Sequence, residues 1–400
     1  MELNVAAVRR IVVIGAGIVG TAVAERLGGR RDCAVTVVDR AARGRLPGST
    51  GHAPGFVGVL AENPVLTELA RMSVAVYRDL ARRHPPAFHQ VGALELASTT
   101  QTADRLARRA EAAADHDVPA ALVTVGQAAR MAPRLVAQAR VEAALHLPWD
   151  GAADARVITA ALRADAEATG VRFVPNANVL GFDVRGNRLT AVRTADDVLG
   201  ADDVIIACGF WGPAVADLVG VSLPLVPIAH PYVYSRRRAA WGLATPLVRW
   251  PEHGVYARDH GDRDGLGTSD HDPPTPSCVD QAELPWPGGE LDRAVARALA
   301  LLPSEHRWDP VERLNGVQSI TPDKAPLLGP LGGVDGLWAA EAVWVTHAAG
   351  AAHTLVALMF DQRAAVGPLD PGRFAGLSPA EWRRRALACY RPETRPPGDP

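Results

Sequence analysis

Gly15, Gly17 and Gly20 stand in GxGxxG spacing directly after the apolar run Ile11 to Ile14. That spacing suits a pyrophosphate. Gly15 permits a tight turn, Gly17 lets the backbone come close to the phosphates, and Gly20 lets a helix pack closely on the preceding strand. Ile18 and Val19 open an Ala-rich segment whose first turn, if helical, presents N–H groups and the positive end of the helix dipole to an anion. A second apolar run, Val35 to Val38, ends on Asp39 and Arg40, and Asp39 has the chemistry to accept hydrogen bonds from an adenosine ribose. The triplet alone is weak evidence. With a strand before it, a helix after it and an acid at the end of the next strand, it specifies a dinucleotide-binding βαβ unit rather than an ordinary glycine turn.

The elements that must hold these residues can be followed along the chain. Helical patterns cover Pro64 to Arg83, Thr102 to His116, Val123 to Met131 and Ala155 to Thr169, the last stopped by Gly170. A meander of short strands follows, with turn signals at Gly186-Asn187 and Asp196-Asp197, and closes on the buried strand Val204 to Ala207. Val221 to Ser235 and Gly254 to Ser269 read as strands, His271 to Gly289 as a proline-rich loop and Glu290 to Leu302 as a helix. A last strand, Leu337 to Ala342, precedes the helix Ala351 to Phe360. Strands suited to the first βαβ unit therefore recur near residues 205 and 340. The expectation is an α/β protein with a discontinuous Rossmann-like nucleotide domain and an α+β second domain built on an antiparallel sheet.

The 400 residues suit two domains, and 48% apolar content supports a substantial core. A net charge of −2 argues against nucleic-acid and membrane-surface partners. No apolar run has membrane-spanning length, and the short N-terminal stretch before the first strand leaves no room for a cleavable signal. Cys33, Cys208, Cys278 and Cys389 are scattered without a CxxC, which fits a reducing cytoplasm. The twelve histidines lack paired ligand spacing, so no metal is expected.

The loop Gly48-Ser49-Thr50-Gly51-His52-Ala53-Pro54-Gly55 resembles the GST-x-HA-x-G pattern of the dimethylglycine oxidase, dimethylglycine dehydrogenase and sarcosine dehydrogenase family, FAD enzymes of the D-amino-acid-oxidase superfamily. The likeness continues through Phe88 to Thr99, Val204 to Gly212, Pro224 to Val233, Tyr256 to Gly267, Asn315 to Pro330 and Ala339 to Gly350. It is similar overall to the FAD-binding half of such enzymes, without the folate-binding half that follows it in them.

The resemblance implies FAD, attached covalently through the His52 imidazole, a competent nucleophile when neutral. It implies a cofactor site of Gly15, Gly17, Ile18, Val19, Gly20, Asp39, Arg40, Ser49, Thr50, His52, Ala53, Val179, Ala207, Gly209, Trp211, Val345, Thr346 and His347. The turn Val345-Thr346-His347 would act through its backbone and the following helix, at the edge of the flavin where negative charge gathers on reduction. His230 and Tyr256 match the histidine and tyrosine that handle the amine proton in the family, and Arg258 is a candidate for a substrate carboxylate. The implied reaction is oxidation of a C–N bond in a small N-methyl or N-alkyl amino acid to an imine by hydride transfer to flavin N5. The same chemistry on another amine or a hydrazino acid, and a flavin subunit served by a separate folate-binding protein, are the competing readings; a stand-alone cytoplasmic enzyme is the expectation. The expected division gives 1–84, 146–219 and 316–390 to the FAD-binding domain, 85–145 and 220–315 to the substrate domain, and 391–400 to a loose tail.

Overall fold

A computed structural model describes residues 8–240, 244–274, 281–361 and 367–391. Cys278 and nearly all of the expected tail lie outside them. The chain divides into two compact units. One takes the residues up to Ala53, Ala155–Pro227 and Ser319–Ala386; the other takes Pro54–Asp154, Ile228–Gln318 and the segment from Leu387 on.

The first unit is built on a six-stranded sheet. Arg9–Ile14 (β1) lies between Cys33–Val38 (β2) and Asp203–Ile206 (β13). Beyond β2 comes Arg172–Val174 (β9); beyond β13 come Leu337–Glu341 (β20) and the antiparallel Leu327–Pro330 (β19). The four pairings from β9 to β20 are parallel, as the registers Val13↔Ile205 and Val13↔Val37 show. Parallel strands covered on both faces read as unbroken apolar runs, which is why β1, β2 and β13 were visible in the sequence. Ile18–Gly28 (α1) packs against Ala155–Ala168 (α5) and Ala348–Phe360 (α8). Val179–Arg185 (β10), Arg188–Thr194 (β11) and Val198–Gly200 (β12) form the expected meander, with Gly212–Asp217 (α6) after β13. Val12, Ile14, Val204, Ile206, Leu327 and Leu337 lie in the core of this unit.

The second unit carries an eight-stranded sheet. Its order is Glu312–Ile320 (β18), Val226–Tyr234 (β14), Asp264–Thr268 (β17), Val255–Asp259 (β16), Leu247–Trp250 (β15), Ala93–Ala97 (β5), Ala143–Leu147 (β7) and Ala121–Val123 (β6). Neighbours from β14 to β15 and from β5 to β6 run antiparallel, while β15 and β5 run parallel. Phe56–Val57 (β3), Gly151–Ala153 (β8) and Phe88–His89 (β4) make a small separate sheet. The helices are Pro64–Arg83 (α2), Thr100–Ala114 (α3), Val125–Met131 (α4) and Glu290–Leu299 (α7); Pro379–Tyr390 (α9) belongs to the first unit up to Ala386 and to this one from Leu387.

Several boundaries differ from expectation. The pairings Phe56↔Ala152 and Phe88↔Ala153, with the Val59 N–H donating to Asp150 at 2.8 Å, tie residues 54–84 and 146–154 to the second unit rather than to the nucleotide unit. Ala121–Val123 is an edge strand, and α4 starts only after Thr124, whose side chain and that of Gln127 form a capping box. A similar box between Thr99 and Thr102 moves the start of α3 back to Thr100. The strand expected from Val221 begins at Val226, the helix expected to run to Leu302 stops at Leu299, and α8 starts at Ala348, one turn earlier than Ala351. Among the described residues no helix is long and apolar enough to cross a membrane.

Candidate active site

In the first unit the glycine turn is closed tightly. Gly15 has φ +106°, and a Cβ there would lie 2.4 Å from the Ala207 carbonyl oxygen; on Gly20 it would lie 1.9 Å from the Gly15 carbonyl oxygen. No side chain fits at either position. The Asp39 carboxylate receives the N–H of Ala16 and of Ala41, both at 2.6 Å. A carboxylate has about four acceptor sites, so these two bonds fix its orientation and leave capacity for ribose hydroxyls. Thr50 Oγ1 accepts from the Ile18 N–H at 3.2 Å, and a Cβ on Gly17 would come within 3.1 Å of it. Thr50 thereby lies over the opening turn of α1, which also contains Val19.

The histidine loop folds as a 3-10 turn, Ser49–His52, and Ala53 leaves it in extended conformation. A Cβ on Gly51 would meet the Leu46 carbonyl oxygen at 1.9 Å, so the residue before His52 has no room to be larger in this turn. His52 itself is half-buried. The Arg40 guanidinium stacks over the Trp211 ring at 3.9 Å, and a Cβ on Gly48 would touch that ring at 3.0 Å. Gly209, with φ +61°, turns the chain from β13 toward Trp211.

Beside Asp39 a cavity of about 440 Å³ is lined by Ala16, Arg43, Arg156, Arg163 and Val174 among others, a volume in the usual range for small-molecule sites. Val179 lies in β10, and the cavity wall includes Phe173, Val174 and Pro175. Val345–His347 forms a 3-10 turn leading into α8, whose N-terminus has no side-chain cap; burial lowers the pKa of His347 to about 4. Sequence reasoning missed Glu341. It ends β20 fully buried, accepts from the Cys208 N–H at 2.7 Å, and has its second oxygen sealed from solvent without a partner. Burial raises its pKa well above the ordinary value. These features fit FAD. The turn admits only backbone, a cavity adjoins the ribose-binding acid, and an unsatisfied polar atom lies at the carboxyl end of the sheet, where nucleotide ligands bind in such folds.

In the second unit the sheet register sorts the residues. Tyr232 pairs with Gly267, Gly267 with Tyr256, Tyr256 with Arg249, and Arg249 with Glu95. Directly paired residues share a face, and period-two alternation adds His230, Tyr234, Arg258 and Gly265 to it. The opposite face carries Val233, Leu266, Ala257, Val248, Trp250 and Leu94, all buried in one apolar cluster. The sheet therefore has an oily side that holds it and a polar side that carries chemistry. Glycine at 265 and 267 is required on the polar side. A Cβ at 267 would stand 2.4 Å from the Tyr256 ring, and one at 265 would stand 2.4 Å from the Tyr232 hydroxyl.

His230 and Tyr256, matched only through the family likeness, are hydrogen-bonded, Nε2 to hydroxyl, at 3.0 Å. Burial, with His271 nearby, pushes the His230 pKa down to about 3; burial also pushes the Tyr256 phenol up. Both groups are neutral at physiological pH. Arg258 lies two residues beyond Tyr256 and donates to the Pro54 carbonyl oxygen, while its Nε is sealed from solvent without an acceptor. Arg249, by contrast, pairs with Glu95, which Arg109 also holds at 2.9 Å. Beside them Asp150 is fully buried, and burial raises its pKa to about 7. Sequence reasoning singled out none of Arg249, Glu95 or Asp150; their partners lie on strands far apart in the chain.

The profile of the family described as DAO, FAD dependent oxidoreductase, matches residues 10–358. Human mitochondrial dimethylglycine dehydrogenase is 28% identical over 349 residues, covering 82% of this chain. The chain spans only 40% of that relative's length. Glycine oxidase of Geobacillus kaustophilus is 27% identical over 333 residues, covering 80% of this chain and 83% of the relative. Among solved structures, L-proline dehydrogenase from P. horikoshii shares the fold with a TM-score of 0.82 at 22% identity, covering 92% of this chain and 98% of that one. The glycine turn, its acid and a match over most of the chain agree: this protein belongs to the DAO family of FAD-dependent oxidoreductases.

Proposed function

We propose that this chain oxidises the C–N bond of a small N-methyl or N-alkyl amino acid, leaving an imine. One observation carries the reading: the neutral His230–Tyr256 pair shares a sheet face with Arg258, a guanidinium that makes no ion pair among the described residues and is attracted by Asp154 and Asp259 only at longer range. Burying a cation with no anion in contact is costly, and the carboxylate of an amino acid would supply that anion. A substrate held this way sets its amine, one carbon removed, within the reach of a short side-chain pair. The amine must lose its proton before its lone pair can assist the loss of hydride from the adjacent carbon. Entry into a poorly hydrated site disfavours the ammonium form, and Tyr256 with His230 can accept the proton. FAD, when bound, supplies the two-electron acceptor. On this reading the glycine turn, Asp39 and the adjoining cavity hold its adenosine diphosphate portion, and His52 is its covalent attachment point.

The test is anaerobic mixing of the FAD-loaded protein with dimethylglycine, sarcosine, glycine and a dialkylamine lacking a carboxylate. Dimethylglycine or sarcosine should bleach the flavin fastest, and no bleaching by any amino acid would overturn the reading. Acid precipitation tests the attachment. Flavin should remain with the wild-type pellet and be released from His52→Ala; free flavin from both would remove the covalent link.

A further inference from the structure

The hydrogen bonds do not stop at His230. Its Nδ1 lies 2.7 Å from the Tyr390 hydroxyl, and that oxygen lies 2.9 Å from Nε2 of His271. Tyr390 is the last residue of α9, and His271 follows β17; both are buried. A single phenol hydroxyl thus lies between two imidazole nitrogens. It has one proton, so it donates to one ring and accepts from the other. The choice fixes both rings. If Tyr390 donates to His271, then His230 carries its proton on Nδ1 and accepts from Tyr256 at Nε2. If Tyr390 donates to His230, then His230 donates from Nε2 to the Tyr256 oxygen, and His271 donates from Nε2 to Tyr390. The row has two polarities, and every member is neutral in both.

We infer that Tyr256, His230, Tyr390 and His271 form one proton relay for the substrate amine, in which Tyr390 and His271 are positioning residues that set the tautomer of His230. The inference rests on the amine-oxidation reading above. In the transfer the ammonium N–H bond breaks and an O–H bond forms at Tyr256. The original Tyr256 proton passes to His230 Nε2, the Nδ1 proton of His230 to Tyr390, and the Tyr390 proton to His271 Nε2. The row ends there, because His271 Nδ1 is sealed from solvent, so the added proton stays on the His271 ring. One proton enters the row, each bond formed is matched by one broken, and no electrons move. The row suits a histidine whose burial opposes the cation, because His230 passes a proton on without holding two. The titratable groups facing the pair are Tyr256 and its ring neighbour Tyr232 on β16 and β14, Tyr390 on α9 and His271 after β17, with Tyr234 further along β14.

The experiment uses the FAD-loaded protein with ring-¹⁵N histidine, as wild type, Tyr390→Phe and His271→Leu. The first readout needs no substrate. The neutral-tautomer ¹⁵N shifts of His230 should be those of a single tautomer pair between pH 6 and 9 in the wild type and should move in both variants. The second is the pH profile of anaerobic flavin reduction by dimethylglycine. Its apparent pKa should rise by about one unit, with about tenfold slower reduction at pH 7, in Tyr390→Phe and to a smaller extent in His271→Leu, at unchanged FAD content. Unmoved His230 shifts in both variants, or a wild-type pH profile in both, would overturn the relay. Wild-type protein that no amine reduces, with His230 shifts that still move in the variants, would instead overturn the amine reading and leave the hydrogen-bonded row standing. If one variant fails to fold, the other decides both readouts.

Discussion

A guanidinium taken out of water needs an anion or a full set of acceptors; Arg258 has one hydrogen-bond acceptor within its own unit, the Pro54 carbonyl oxygen, and Asp154 and Asp259 attract it without forming an ion pair. Burial lowers its pKa from the ordinary value, but an arginine so far above neutrality stays charged. A substrate carboxylate would complete it. Replacing Arg258 with Met should therefore weaken dimethylglycine binding about 10- to 100-fold, the loss of one or two charge-assisted bonds worth roughly 1.5–3 kcal/mol. Titrating flavin spectral changes with dimethylglycine and with a dialkylamine lacking a carboxylate separates this from a general defect. An equal loss for both ligands would show that Arg258 holds the fold and not the acid. At this scale the sequence was informative where the chemistry is local. Gly15, Gly17, Gly20 and Asp39 lie within one βαβ unit and could be read from spacing. His230 and Tyr256 were visible only through family likeness, because a histidine or tyrosine on a strand is usually structural. Tyr390 and His271 gave no signal at all: their hydrogen bonds close loops of 160 and 119 residues, and nothing in a local pattern encodes a partner so distant.

The strands make the polar face possible through what they omit. β17 reads Asp264-Gly265-Leu266-Gly267-Thr268; Leu266 enters the apolar cluster, and the glycines leave the other side bare. The Tyr256 ring occupies the space above Gly267. Gly267→Ala should push that ring off its hydrogen bond to His230, since the added carbon would stand 2.4 Å from ring atoms. The backbone there does not need a glycine's φ, so the fold should survive. The expected result is flavin reduction by dimethylglycine slowed at least about tenfold, of the order of losing a proton-transfer group, with FAD content retained. Reduction at the wild-type rate in stopped-flow would show that the Tyr256 position does not matter. Element signals differed in strength for a physical reason. The fully buried parallel strands are unbroken apolar runs and were read correctly. β5 and β7 are Ala-Leu stretches interrupted by Glu95 and His146, compositions equally at home in a helix, and they were not recognised. Helix starts missed by a few residues wherever a threonine side chain, as at Thr99 and Thr124, set the boundary.

Across the whole molecule, burial has sorted titratable groups into two opposing sets, and their balance governs acid stability. Burial lowers His230 to about 3, His260 to about 2 and His347 to about 4. In the unfolded chain each would titrate near 6.5. Unfolding at pH 5.5 thus takes up nearly three protons that the folded state refuses. The stability these histidines contribute is complete above about pH 6.5 and is lost as pH falls toward their folded values. The carboxyls of Asp150, raised to about 7, and Glu341, raised well above its ordinary value, act oppositely. Folded, they keep protons that the unfolded chain releases above about pH 4, so their contribution grows as pH falls from 7. His146 and His353, also lowered by burial, join the first set, so below about pH 6 the histidines take up more protons on unfolding than the buried carboxyls release. Urea unfolding at steps between about pH 6 and 5 should show stability falling as pH falls. Glu341→Gln removes one of the two opposing groups while keeping an acceptor for the Cys208 N–H. Its stability should fall more steeply over the same interval. A variant slope equal to or shallower than that of the wild type would mean that Glu341 is ionised in the folded protein, and that the backbone N–H groups of Cys208, Gly209 and Ala342 outweigh its burial.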